Sequence, residues 1–268
     1  MNMPADPDMR SDRHPAHRSL VTHLSSRVRS VLSPTQRSAL RTATEPWVKP
    51  IGSVRGAAVT DAVALTYDDG PGPHTASVLD VLERHGATAT FFVLADRAEA
   101  EPELLRRMLG DGHEVALHGV DHQRLTALPA SEVRSHIAEG KRRLEACTGQ
   151  PVRYFRPPYG SQTPRTFVAA RRCGLRIVVW SCDADDWIDH EPEHISQLAL
   201  ERLQPGGILL LHDGFEADPD APLPEPGFDR AEVLGLVLSG LAQRGLRATG
   251  VGRLLESGAA RRTAWFRP

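Results

Sequence analysis

Residues 208–212 read ILLLH, four consecutive apolar residues closed by an imidazole. A strand with one face in water alternates apolar and polar side chains. An unbroken apolar run therefore marks a strand covered on both faces, as in a parallel sheet between layers. IVVW at 177–180 has the same character. Outward from these two runs, strand-like stretches recur at 62–67, 88–94, 114–117, 152–155, 177–181, 207–211 and 246–249. Between them, apolar residues spaced by three or four, as in Val133, Ile137 and Leu144, predict helices at 75–85, 100–110, 130–147, 163–173, 193–203 and 231–244. Gly86, Gly110, Gly174 and Gly245 stand where a left-handed C-cap is wanted. About seven β-α units over this length predict an α/β fold, a closed or distorted (β/α) barrel rather than an open sheet. The segment 215–230, FEADPDAPLPEPGFDR, with four prolines and five acids, reads as an exposed loop.

The 268 residues carry 32 Lys+Arg against 34 Asp+Glu, so no basic footprint for nucleic acid is present. No apolar run approaches the 18 or so residues of a membrane-spanning helix. Cys147, Cys173 and Cys182 are too few and too scattered for a disulfide framework, and their spacing matches no zinc motif. The charge is uneven: residues 1–56 hold nine Lys/Arg against four Asp/Glu. This stretch reads as a basic N-terminal extension, partly disordered, in which Leu20, Leu24, Val28 and Val31 mark a short helix stopped by Pro34. Such a helix either packs on the main domain or touches an anionic membrane surface. The extension lacks the apolar core of a secretory signal peptide, which predicts a cytoplasmic protein unless export is non-classical. The main domain is expected over 57–256, followed by a tail at 257–268.

The chemically capable residues fall at one kind of place. Asp68 and Asp69 follow the first of these strands, His118 and His122 the third, and Arg156 the fourth. Asp183, Asp186 and Trp187 follow the fifth, and His212 ends the sixth. All lie at C-terminal strand ends, where the loops of a β/α barrel converge on one mouth. Asp69, His118 and His122 offer one carboxylate and two imidazoles, a catalytic-type set that leaves a divalent metal an open position. The HxxxH pair is not that of the zincin proteases, because position 119 is Gly and no adjacent glutamate can act as base.

TYDDGP at 66–71, HGVDH at 118–122, RPPYG at 156–160, DADDW at 183–187 and LLH at 210–212 occur in that order. Together they resemble the carbohydrate esterase family 4 polysaccharide deacetylases, the NodB homology domain, over about 57–255. The resemblance implies a distorted barrel that removes N-acetyl or O-acetyl groups from a carbohydrate with one divalent metal, zinc first among them and cobalt or another ion as alternatives. It assigns Asp68 as general base toward a water held at the metal, and Asp69, His118 and His122 as metal ligands. Arg156 is the partner of Asp68, and the backbone N–H of Tyr159 an oxyanion donor. His212 is the acid that protonates the departing amine, with Asp186 beside it. Trp187 and Leu210 form an apolar wall around the acetyl methyl, and Asp183 organises the site. Two positions depart from the family pattern. Tyr67 replaces the more usual Phe, a packing change, and Gly119 stands where Ser or Thr is common, which predicts either a looser metal loop or a subgroup with another substrate. Two other readings stay open: a related hydrolase of a small amide, imide or formamido-sugar, and a non-catalytic carbohydrate-binding relative, which should have lost Asp68 or a metal ligand.

Overall fold

The computed structural model describes residues 52–218 and 223–267. The expected helix over Leu20–Val31 lies outside the described residues. Among the described residues no helix is long and apolar enough to cross a membrane.

Among the described residues, strands β1 (Ser53–Ala57), β2 (Ala62–Asp68), β3 (Thr90–Leu94), β4 (Glu114–Gly119), β5 (Tyr154–Phe155), β6 (Arg176–Ile177), β7 (Cys182–Asp183), β8 (Ile208–His212), β9 (Arg247–Thr249) and β10 (Ala260–Thr263) alternate with eight α-helices. These are α1 (Thr75–Arg84), α2 (Ala95–Ala100), α3 (Pro102–Gly110), α4 (Ala130–Thr148), α5 (Pro164–Arg172), α6 (Pro192–Arg202), α7 (Arg230–Gln243) and α8 (Val251–Ser257). The main sheet runs β6-β5-β4-β3-β2-β8-β7, every pairing parallel, and β9 pairs with the start of β2. It is the curled, incomplete barrel of an α/β protein.

Burial on both faces explains the continuous apolar runs. On β2, Val63, Leu65 and Tyr67 face the layer of helices, whereas Ala62 and Ala64 face the inside of the curl. The inside holds Phe92, Ala116, Tyr154, Val178 and Ile208 with Val54, Val251 and Leu254. Tyr67, in place of Phe, stays on the helix side and stacks on Phe91 with ring centroids 5.2 Å apart.

Three differences from the sequence expectation have physical causes. The run 177–181 is not one strand: it breaks after Ile177, and the Val179 N–H donates to Val54 of β1 at 2.8 Å before β7 begins. β1 thus satisfies the backbone at the seam that the sheet leaves open. Residues outside the expected limits of 57 and 256 join the fold, since β1 and β10 pair antiparallel and Trp265 is buried. Gly110 closes α3 as a helical residue, and Gly112, with φ of 80°, makes the left-handed turn instead. Gly86, Gly174 and Gly245 are left-handed as expected.

Candidate active site

Side chains two apart on a strand share a face, so the inside of the curl leads directly to the site. Ala64 is followed by Thr66 and Asp68, Ala116 by His118, Tyr154 by Arg156, and Ile208 by Leu210 and His212. Register keeps the ends level: Asp68 pairs with His212 on one side and Phe92 on the other. The polar residues at these strand ends therefore converge above the apolar inside, in a cleft of about 530 Å³ lined also by Tyr159, Trp187 and Phe215.

Adjacent residues on a strand point to opposite faces, yet Asp68 and Asp69 both enter this cleft. The chain ends β2 at Asp68 and turns left-handed at Asp69, with φ of 71°. Aspartate tolerates that region better than most residues. Two neighbours hold the turn: Arg97 Nη1 donates to the Asp69 carbonyl at 2.8 Å, and Gly70 lies so close to Asp213 that a Cβ would sit 2.3 Å from its carboxylate. Tyr159 (φ 58°) and Asp185 (φ 54°) are also left-handed, so the three non-glycine residues of positive φ among the described residues all lie in loops of this mouth. Each such conformation costs on the order of 1–3 kcal/mol and persists where the surroundings over-determine it.

Asp69 Oδ1 lies 3.3 Å from Nε2 of His118 and 3.3 Å from Nε2 of His122. The three candidate ligand atoms fall within 4.8 Å of one another, and Oδ1 is buried without a hydrogen-bond partner. His118 Nδ1 lies 2.9 Å from the Arg156 carbonyl, so that nitrogen donates and Nε2 keeps its lone pair for the cleft. Burial holds the His122 imidazole down at about 4, against the opposing pull of Asp69, so it is neutral as a ligand must be. Burial pushes the Asp69 carboxyl up, but the two imidazoles that face it outweigh this and hold it well below the usual carboxylate range. An orphaned carboxylate oxygen faced by two imidazole nitrogens fits a divalent cation.

Asp68 accepts from Arg156 Nη1 at 2.7 Å, and the same nitrogen donates to Thr66 Oγ1 at 2.9 Å. Arg156 is fully buried, with its guanidinium 4.1 Å over the Phe92 ring, and burial lowers its pKa against the pull of Asp68. Opposite, Asp186 binds His212 through both oxygens. Burial disfavours the imidazolium there, but the Asp186 carboxylate overcomes it and raises His212 to about 9. The Trp187 ring stands edge-on to His212 with centroids 6.0 Å apart, and Leu210 lines the same wall. Asp183 accepts from Trp180 Nε1 at 3.1 Å and from Arg202 at 3.0 Å.

Gly119 does not leave the loop loose. A Cβ there would stand 2.5 Å from the Asp121 carbonyl oxygen, so the backbone itself fills the place of a side chain. α4 packs on it closely, Gly140 approaching the Gly119 carbonyl carbon to within 3.3 Å of a would-be Cβ.

Sequence reasoning passed over Asp213, Arg97 and Arg124. Asp213 is fully buried beneath Gly70 and accepts from Thr75 Oγ1 at 2.5 Å. Burial first, then the nearby Asp69 and Asp68, push it up to about 7 despite the Thr75 hydrogen bond. Its place directly after His212 was the available signal. Arg124 lies 4.0 Å over the Tyr159 ring and donates to Ser161 at 2.7 Å, and nothing in its local sequence announces that.

A family profile described as "Polysaccharide deacetylase" matches residues 55–178. A chitooligosaccharide deacetylase of Bradyrhizobium sp. is 40% identical over 166 residues, 61% of this chain and 74% of the relative. A peptidoglycan-N-acetylglucosamine deacetylase of Bacillus cereus is 33% identical over 200 residues, 72% of this chain and 88% of the relative. Among solved structures, a peptidoglycan N-acetylglucosamine deacetylase bound to an N-hydroxybenzamide superposes with a TM-score of 0.69 at 27% identity, covering 82% of this chain and 98% of that one. Since relatives at 40% and 33% identity are spanned over 74% and 88% of their length, the chain belongs to the polysaccharide deacetylase family.

Proposed function

We propose that this protein is a metal-dependent hydrolase that removes N-acetyl groups from an N-acetylglucosamine-type carbohydrate, and that residues 57–256 hold its catalytic machinery. The observation that carries the reading is the pairing, across one cleft, of the Asp69–His118–His122 cluster and Arg156-held Asp68 with the Asp186–His212 couple. The names of the relatives, which specify chitooligosaccharide and peptidoglycan N-acetylglucosamine, support the substrate class.

Asp69, His118 and His122 would hold a divalent cation, zinc by the donor set of two imidazoles and one carboxylate, which would supply Lewis-acid polarisation of the acetyl carbonyl and acidify the attacking water. Asp68 takes the proton of that water as its oxygen attacks the acyl carbon. Arg156, donating to Asp68 at 2.7 Å, fixes the carboxylate in direction. The backbone N–H of Tyr159 donates to the oxyanion as it forms. His212, protonated and held by Asp186, gives its proton to the amine nitrogen as the carbon–nitrogen bond breaks, leaving acetate and the free amine. Trp187 and Leu210 enclose the methyl group. The test is acetate or formate release by the zinc- or cobalt-loaded protein over a panel of acetylated and formylated sugars. Release from N-acetylglucosamine oligomers supports the reading. Formate release alone, or no release at all with metal bound, sinks it.

A further inference from the structure

The family profile ends at residue 178, yet the last residues of the chain reach the cleft. After β10 the chain runs antiparallel to Gln162: the Gln162 N–H donates to the Arg267 carbonyl at 2.6 Å, and the Arg267 N–H returns to the Gln162 carbonyl at 3.0 Å. The buried Gln162 amide donates to the Trp265 carbonyl, and its oxygen accepts from Ser53 Oγ at 3.3 Å. These contacts seat Trp265, which is 8% exposed, directly below the turn Pro158–Gly160.

That turn holds two consecutive left-handed residues, Tyr159 at φ 58° and Gly160 at φ 60°. Only Gly160 is free of a steric penalty there, so Tyr159 stays in place because its surroundings leave it no alternative. Two indoles supply that constraint. Trp180 presses on the Gly160 Cα so closely that a Cβ would lie 2.5 Å from its ring. The Trp265 Nε1–H donates to the Gly160 carbonyl at 2.9 Å. The rings meet edge-on with centroids 4.9 Å apart, and the Arg267 guanidinium caps Trp265 at 3.9 Å.

We infer that Trp265 is a positioning residue: its indole N–H, delivered by the C-terminal segment 264–267, fixes the Pro158–Gly160 turn so that the Tyr159 N–H is aimed at the oxyanion. The inference rests on the reading of Tyr159 as oxyanion donor. A donor acts fully only when preorganised, and a misplacement near 1 Å costs up to about 100-fold in rate. An indirect hold, lost while the ring remains, should cost less, about tenfold.

Trp265→Phe tests it, because the substitution keeps the aromatic ring and deletes the N–H. The expected result has two parts. Hydrogen exchange at the Gly160 and Ser161 amides, both bonded within this turn, rises about tenfold while the amides of β2 and β8 stay unchanged. On an N-acetylglucosamine oligomer kcat falls about tenfold with KM within about twofold. Deleting residues 264–268 should reproduce both changes more strongly. Unchanged exchange at the turn overturns the inference, as do uniform acceleration across the sheet and a normal kcat beside a loosened turn. If the wild-type protein releases no acetate, the hydrolase reading fails, and the exchange comparison alone passes or fails the hold of Trp265 on the turn.

Discussion

Asp186 binds His212 twice, its Oδ2 accepting the backbone N–H at 2.7 Å and its Oδ1 lying 2.9 Å from Nδ1. The double contact fixes the tautomer, leaves Nε2 toward the cleft and favours the imidazolium, which raises His212 from 6.5 to about 9. kcat/KM should therefore fall on the alkaline side as His212 loses its proton. In Asp186→Asn that limb should move to lower pH while the acid limb stays near its place. A pH–rate profile with one soluble substrate checks this, and an unmoved alkaline limb removes Asp186 from the role.

The same pair should show in stability. A histidine whose folded pKa is raised stabilises fully below its unfolded value, near 6.5, and that contribution is lost as pH rises through about 9. Asp186→Asn should flatten the decline of unfolding free energy over that window. Urea titrations at several pH values measure it.

Metal content should separate the roles of neighbouring residues. Purified protein is expected to carry about one divalent ion per chain, lost to a chelator together with activity and regained on adding zinc. His122→Ala should lower metal affinity, because it removes one of the three donor atoms of the cluster. Asp68→Asn should keep the metal and lose turnover. Elemental analysis beside acetate release tells these apart, and near-normal turnover in Asp68→Asn would exclude it as base.

Arg156 and Asp68 form a fully buried ion pair at 2.7 Å. Removing one partner of such a pair leaves an uncompensated charge, at about 3–5 kcal/mol. Arg156→Met should destabilise by that order. The double variant with Asp68→Asn should lose less than the sum of the single losses. Denaturant unfolding of the four proteins gives the coupling directly.

Gly119→Ser, which restores the more common family residue, should destabilise here rather than tighten the loop. Its Cβ meets a backbone oxygen at 2.5 Å, and overpacking of this kind costs about 1–3 kcal/mol. A lowered Tm with weakened metal binding is expected, and a raised Tm would refute the tight-loop account.

Much of the architecture was legible because period and polarity are local. The helix over 130–147 follows from Val133, Ile137 and Leu144 on one stripe, and the structure places α4 at Ala130–Thr148 with these residues buried. The strand ends bearing Asp68, His118 and His212 were equally readable, since each follows an apolar run. β1, β10 and α8 escaped because their stability comes from long-range partners. SVRGA becomes a strand only where Val54 and Gly56 meet Arg262 and Arg261, more than 200 residues away.

The amino-acid sequence alone determined that strands buried on both faces alternate with amphipathic helices, and that the carboxylates and imidazoles sit at the strands' C-terminal ends. Those are consequences of spacing along one chain. Tertiary structure alone decided which face of ILLL points inward, because both faces of that run are equally apolar. The curl of the sheet puts Ile208, Leu210 and His212 on the inside. It also decided that Asp68 and Asp69 share one cleft, through a left-handed turn braced by Arg97 and Asp213 from distant elements. The same holds for Trp265, which meets Gly160 across 105 positions of chain. A strained turn or a buried contact of this kind is stabilised by groups that are neighbours only after folding, so no local pattern records it.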